Sequence, residues 1–314
     1  LDADLFQCVA SIAAHADWSV DARKRWMAVA RRAARGWVLA PPEPVGDPAT
    51  LFARLRAQAG GGAVALGVDL PLGLPAAYAE RHARAADFMT FLRGLADRPD
   101  FFRVCDTLDE ISADRPFYPR IGRAGMTRAA HAAALGIPAL GRACDAATAS
   151  RPAGAPLFWT LGANQAGKAA LSAWREMIVP ALHAAEPPRL WPFQGGFRAL
   201  LKQGGVVLAE TYPAEAMTQL GVKRLGSKRR QADRAAMAPS IRAAMRRLDV
   251  RPARALAAAL TDGFGADAAG EDRFDCVLGV LCVIAVADGA RPDHIPADPA
   301  MRRWEGWVLG QGGP

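Results

Sequence analysis

Ala63-Val64-Ala65-Leu66-Gly67-Val68-Asp69-Leu70-Pro71-Leu72-Gly73 is an apolar run of strand length that ends in one carboxylate and a Pro/Gly turn. Uninterrupted apolar runs of this length read as central strands buried on both faces. An acid at the carboxyl end of such a strand stands where open α/β sheets place their ligands. Two other segments share the design: Val9–Ala16 runs into Asp17, and Gly205–Ala209 runs into Glu210. Three strands bringing three carboxylates to one sheet edge would compose a metal site.

The composition limits the alternatives. Of 314 residues, 51% are apolar and 22% charged, which supports a sizeable core and excludes global disorder. The net charge of +8 favours polyanionic partners, nucleic acid among them. Cys8, Cys105, Cys144, Cys276 and Cys282 are scattered without a C-x-x-C pair, which argues against a zinc knuckle and predicts buried reduced thiols in a cytoplasmic protein. No apolar stretch approaches the roughly 20 residues of a membrane span, and neither a membrane segment nor a signal peptide is expected. The five histidines show no i, i+4 pair, against a zinc hydrolase, and no G-x-S-x-G is present. Phe158–Lys168 lacks the spacing of a phosphate loop, and Ala169 stands where Mg²⁺ would need a hydroxyl, so an ATPase is rejected.

In order, the chain reads as strands over Leu5–Asp17, Arg25–Ala30 and Arg35–Ala40. A helix Ala49–Ala59 follows, opened by Asp47-Pro48 and stopped by Gly60-Gly61-Gly62, and then the strand ending in Asp69. Residues from about 74 to 200 read as a large, mostly helical insertion into a single domain spanning 1–314, with Arg120–Arg128 a basic loop. After it come the strand ending in Glu210, the basic segment Gly221–Arg254, an apolar helix Arg273–Ala287 and a terminal Trp304-Glu305-Gly306-Trp307. This order is that of the ribonuclease H-like α/β fold, a mixed sheet flanked by helices, in which the first strand is central and the fourth pairs beside it. Asp17 and Asp69 would then be neighbours. Asp275 shares a helix face with Gly279 and Cys282, whose small side chains allow close approach to the sheet, and Asp272 lies one turn back.

Clustered carboxylates repel one another, and a divalent cation removes that cost. Hard oxygen ligands suit Mg²⁺ or Mn²⁺, which can activate water and stabilise a leaving oxygen in phosphodiester hydrolysis. His15, two residues before Asp17, reads as structural, with proton transfer as the minority reading. Gly221–Arg254 carries eleven Lys and Arg against only Asp233 and Asp249, a charge concentration read as a phosphate-backbone contact surface.

Val68-Asp69-Leu70-Pro71-Leu72-Gly73, Glu210-Thr211-Tyr212-Pro213-Ala214-Glu215, Lys228-Arg229-Arg230, Asp272–Ala287 and Glu305-Gly306-Trp307 together resemble domain-of-unknown-function family 429. That family is described as predicted ribonuclease H-like nucleases. Asp17-Trp18-Ser19 followed by Arg23-Lys24-Arg25-Trp26 is similar to a variant of its first strand. The resemblance covers most of the chain. It implies metal-binding roles for Asp17, Asp69, Glu210 and Asp275, with Lys228 as a phosphate contact. The expectation is a Mg²⁺- or Mn²⁺-dependent nuclease acting on DNA or RNA. In it Asp17, Asp69, Glu210 and Asp275, with Asp272, hold metal, and Lys228, Arg229 and Arg230 hold phosphate. Two alternatives stay open: a non-catalytic nucleic-acid-binding protein on the same fold, and a small-molecule nucleotide phosphohydrolase.

Overall fold

The structure is a computed structural model and describes residues 10–148, 152–161 and 166–312. The chain divides into two compact units. Among the described residues, the first comprises 10–69, Pro188–His294 and Leu309–Gln311, and the second lies within Leu70–Pro187 and Ile295–Val308, with Gly312.

The first unit begins with β1 (Ile12–Asp17), β2 (Trp26–Arg32), β3 (Trp37–Leu39), β4 (Glu43–Pro44), α1 (Leu51–Ala59) and β5 (Val64–Val68). The second unit carries α2 (Ala76–His82), α3 (Phe88–Gly94), α4 (Arg128–Ala134), α5 (Ala166–Ala173) and α6 (Val179–Leu182). The chain then returns to the first unit through β6 (Arg189–Leu190), α7 (Phe197–Leu201), β7 (Val206–Glu210), α8 (Pro213–Gln219) and α9 (Gln231–Arg247). It ends there with β8 (Val250–Pro252), α10 (Arg254–Asp262) and α11 (Gly270–Ala287). The protein is thus α/β, with a mixed eight-stranded sheet in the order β6-β7-β5-β1-β2-β3-β8 and β4 paired to β2.

The opening stretch behaves as its composition demands. All five residues of β5 are buried, as are all five of β7, because each of these strands has a parallel neighbour on either side. β1 lies between antiparallel β2 and parallel β5, so the first strand is central and the strand leading to Asp69 is its neighbour, as expected. Several boundaries move. The first strand begins at Ile12, residues 1–9 lying outside the description, and Asp47 caps a short 3-10 turn, Pro48–Thr50, before α1. The segment outside the sheet runs from Leu70 to Pro187 rather than from about 74 to 200, because β6 and α7 belong with the sheet.

α11 is a strongly apolar helix with fifteen of its eighteen residues buried, and it packs against β1, β2 and β5. Gly279 makes that approach possible. A Cβ there would stand 2.2–2.4 Å from three ring atoms of His15 on β1. Gly67 on β5 has a similar role, since a Cβ would lie 2.7 Å from Val283 of α11. Overpacking of this kind costs about 1–3 kcal/mol. Gly279→Ala is therefore expected to lower stability by that order, and His15→Ala in the same chain should recover much of it by vacating the space. Denaturant titration of the three variants checks this, and a double variant no better than Gly279→Ala would refute the packing account.

The second unit is organised around aromatic rings. Phe101 meets Phe91, Phe117 and Phe158 edge-on at centroid distances of 5.4–6.4 Å, an arrangement rings prefer to face-to-face stacking. Its chain ends are tied by Glu305, whose carboxylate accepts from the backbone N–H of Ala76 at 3.0 Å and of Ala143 at 2.7 Å. Gly73 takes φ +142°, and a Cβ there would fall 1.9 Å from the Glu305 carbonyl oxygen, so the position requires glycine. Two of the sequence pieces singled out above, Pro71-Leu72-Gly73 and Glu305-Gly306-Trp307, meet in this contact.

Candidate metal centre

Strand register places the acids. Ala16 pairs with Val68, Val68 pairs with Glu210, and the N–H of Asp69 bonds to the carbonyl of Ala16. Asp17 and Asp69 therefore follow the last paired residues of adjacent parallel strands and emerge on the same face of the sheet. His15 also lies on that face and touches α11, so the face is the one α11 covers. Asp275, one turn before Gly279 on α11, comes to the same edge.

The electrostatics agree with this convergence. The Asp17 and Asp69 carboxyls act directly on one another, and the charge of Asp69 disfavours ionisation of Asp17. Loss of water and the charges of Asp69, Asp275 and Asp272 hold the Asp17 carboxyl well above the usual range. Burial, with repulsion from Asp275, pushes Asp69 up to about 7. Asp275 is also raised by burial, although Lys228 opposes the shift. Asp272 is pushed up to about 6 by burial and by Asp275.

Lys228 reaches into this cluster. Its Nζ lies 2.5 Å from Asp275 Oδ2, while Asp275 Oδ1 is buried and without a hydrogen-bond partner among the described residues. No three of Asp17, Asp69, Glu210 and Asp275 bring ligand oxygens all within 4.8 Å of one another. Glu210 stands apart from the other three. Being paired with Val68, it has the parity of Val68 and Ala16, opposite to Asp69 and Asp17, and only its charge acts on Asp69. At the level of Asp69 the neighbouring strand presents Thr211, whose buried Oγ1 is without a partner among the described residues. Alternation along β7 is the signal that identifies it, once the register is known.

His15 is fully buried, both ring nitrogens lack partners among the described residues, and burial lowers its pKa to about 3. It is a neutral packing element under the acid pair, in line with the structural reading. The other described histidines with ring contacts bond backbone carbonyls: His82 to Leu135, His131 to Pro116 and His183 to Arg93. Cys105, Cys144, Cys276 and Cys282 are free and buried, and Cys8 lies outside the described residues. Cys282 faces Gln219 of α8, with Sγ 3.0 Å from its Oε1, and does not serve the sheet contact expected of it.

The basic segment is partly internal bracing. Arg234 is 2% exposed and donates to the carbonyls of Lys228, Gly263 and Gly265 at 2.5–2.8 Å, fixing the loop that carries Lys228. Arg242 bonds Ala257 and Thr261, Arg247 bonds the Leu220 carbonyl, and Arg230 pairs with Asp233. Arg229 is exposed, with its Nε 4.0 Å from Glu271. Lys223, Arg246, Arg251 and Arg254 are exposed as well. The run of charge was legible in the sequence; its division between clamps and free cations was not.

Among the described residues no helix is long and apolar enough to cross a membrane. Comparison with protein-family models, curated proteins and solved structures finds no match, so the site stands on its own geometry.

Proposed function

We propose that the protein is a divalent-metal-dependent phosphodiesterase, a nuclease on a ribonuclease H-like sheet of the kind family 429 is described as having. The observation that carries the reading is the acid pair: Asp17 and Asp69 end adjacent parallel strands on one face, and Asp275 stands beside them with an oxygen that is unpartnered among the described residues. The strand order β3-β2-β1-β5-β7, with β1 central, supports the fold assignment. The donor set is all carboxylate oxygen, and the orphaned Asp275 Oδ1 is a buried acceptor in want of a cation, so the residues fit Mg²⁺ or Mn²⁺. Asp17, Asp69 and Asp275 would hold the ion, with Asp272 adding negative charge nearby. Glu210 contributes field rather than shared ligation, given its parity. A bound ion of this class supplies a lowered pKa for water and a Lewis acid at the phosphoryl oxygen. The protein's own part is to gather the carboxylates at one edge, strip them of water, and set cations beside them to receive phosphate. Lys228 and the exposed Arg229 and Arg230 are those cations.

The test is incubation with labelled single-stranded DNA, RNA and duplexes in Mn²⁺ and in EDTA. Cleavage confined to the Mn²⁺ arm is expected. Binding that falls steeply with salt, without turnover in any arm, would instead select a non-catalytic nucleic-acid-binding protein. The Lys228–Asp275 ion pair is the observation that favours that second reading.

A further inference from the structure

We infer that Lys228 is a resident cation of the acid cluster, its ammonium standing on Asp275 in the place of a divalent ion, so that metal and lysine compete for one carboxylate. The inference rests on the proposed function only for the class of competing ion.

Three observations carry it. Lys228 Nζ sits 2.5 Å from Asp275 Oδ2 with only 19% and 11% of the two side chains exposed, so the pair is largely out of water. The ammonium also acts electrostatically on Asp17 and Asp69, the two acids that share the sheet edge. The second oxygen of Asp275 is buried and has no hydrogen-bond partner among the described residues. One ammonium among several clustered, partly buried carboxylates leaves negative charge uncompensated, and a divalent ion answers that charge better than a lysine does.

The loop is built for the side chain to leave while the backbone stays. The Lys228 carbonyl is gripped by Arg234 at 2.5 Å, and the Ser227 N–H bonds the Asp233 carboxylate at 2.8 Å. Gly226, at φ +113°, turns the chain immediately before this anchor. A four-carbon stem then lets the ammonium swing several ångströms without moving its Cα. Once displaced by metal, it is free beside the site to meet a phosphate oxygen. Lysine thus compensates the acids before metal arrives and receives the substrate afterwards.

The experiment measures Mn²⁺ affinity, by calorimetry and by loss of the free-ion paramagnetic resonance signal, for the wild-type chain, Lys228→Gln, Lys228→Met and Asp275→Asn. Both lysine variants should bind Mn²⁺ at least tenfold more tightly than wild type, melt lower in EDTA, and gain more on Mn²⁺ addition. Asp275→Asn should bind weakly. If either lysine variant is unfolded in EDTA, its affinity is measured after preparation in Mn²⁺ by competition with a chelator. Affinity equal to or below wild type in both lysine variants overturns the inference, and so does absence of Mn²⁺ binding in every chain. Tighter binding in the variants with no cleavage by any chain would leave the competition standing and remove the nuclease reading. Metal-dependent cleavage by wild type with unchanged affinity in the variants would do the reverse.

Discussion

Asp69→Asn is expected to abolish metal-dependent cleavage, by at least a thousandfold, while making the metal-free protein more stable at pH 8. The two effects have one cause. Asp69 is held next to Asp17 and near Asp275 and Glu210, and its ionisation is displaced to about pH 7 by burial and their repulsion. At pH 8 the wild-type chain keeps that carboxylate charged against its neighbours. Asparagine has nearly the same shape, can still bond to Asp17, and carries no charge. Each unit of pKa displacement corresponds to about 1.4 kcal/mol, so a gain of up to about 4 kcal/mol is expected. The backbone of β5 is untouched, since its pairing uses main-chain groups. Catalysis is lost because an amide cannot replace an anionic oxygen at a divalent cation. Thermal unfolding in EDTA and a cleavage assay in Mn²⁺ check the two halves. Retained cleavage would remove Asp69 from the site. A less stable variant would show that the carboxylate is structural rather than strained for function.

What the sequence revealed, and what it hid, follow from how far each interaction reaches along the chain. The stretch before Asp69 was legible because a strand with neighbours on both edges, covered on both faces, must be apolar throughout, and Val64–Val68 are all buried. Asp17 and Asp69 were legible for a related reason: an acid at the end of such a strand breaks the apolar rule and needs a purpose. Glu210 obeyed the same local pattern, yet strand register placed it one residue short of Asp69, and a one-residue offset reverses the face. Register is a property of two strands and is not written in either. Lys228 was recognised as one of a row of cations, but its partner Asp275 lies 47 residues further along the chain. Arg234 read as surface charge and is instead a buried clamp, because three carbonyls from two loops, Lys228 in one and Gly263 and Gly265 in the other, converge on it. Gly279 was recognised as room for a close approach. That the room is filled by His15, far away in sequence, only the packing could tell.

The acid pair is expected to cost the metal-free protein stability as pH rises from about 4 to about 7, and Mn²⁺ should offset that cost chiefly at the upper end. Asp69 is protonated up to about pH 7 when folded and only up to about 3.8 when unfolded, and the Asp17 carboxyl is raised in the same sense. Between those limits the folded state binds more protons than the unfolded one. Stability therefore falls with increasing pH across that window. For Asp69, both states are protonated below it and ionised above it, so its contribution is confined to the window. His15 runs the opposite way. Neutral in the fold down to about pH 3 and protonated below about 6.5 when unfolded, it weakens the fold as pH falls. The two trends partly cancel in the wild-type chain. The acid contribution is isolated by subtracting the curve of Asp69→Asn, which retains His15. That difference should favour the variant increasingly from pH 4 to 7 and then level off, reaching a few kcal/mol. Mn²⁺ binds the ionised acids, so its stabilisation should be small at pH 5 and near 2.7 kcal/mol at pH 8 when present at about a hundred times its dissociation constant. Equilibrium unfolding across pH, with and without Mn²⁺, measures both. A flat difference between the chains, or equal Mn²⁺ stabilisation at pH 5 and pH 8, would mean that the fold does not hold these carboxyls protonated against the metal.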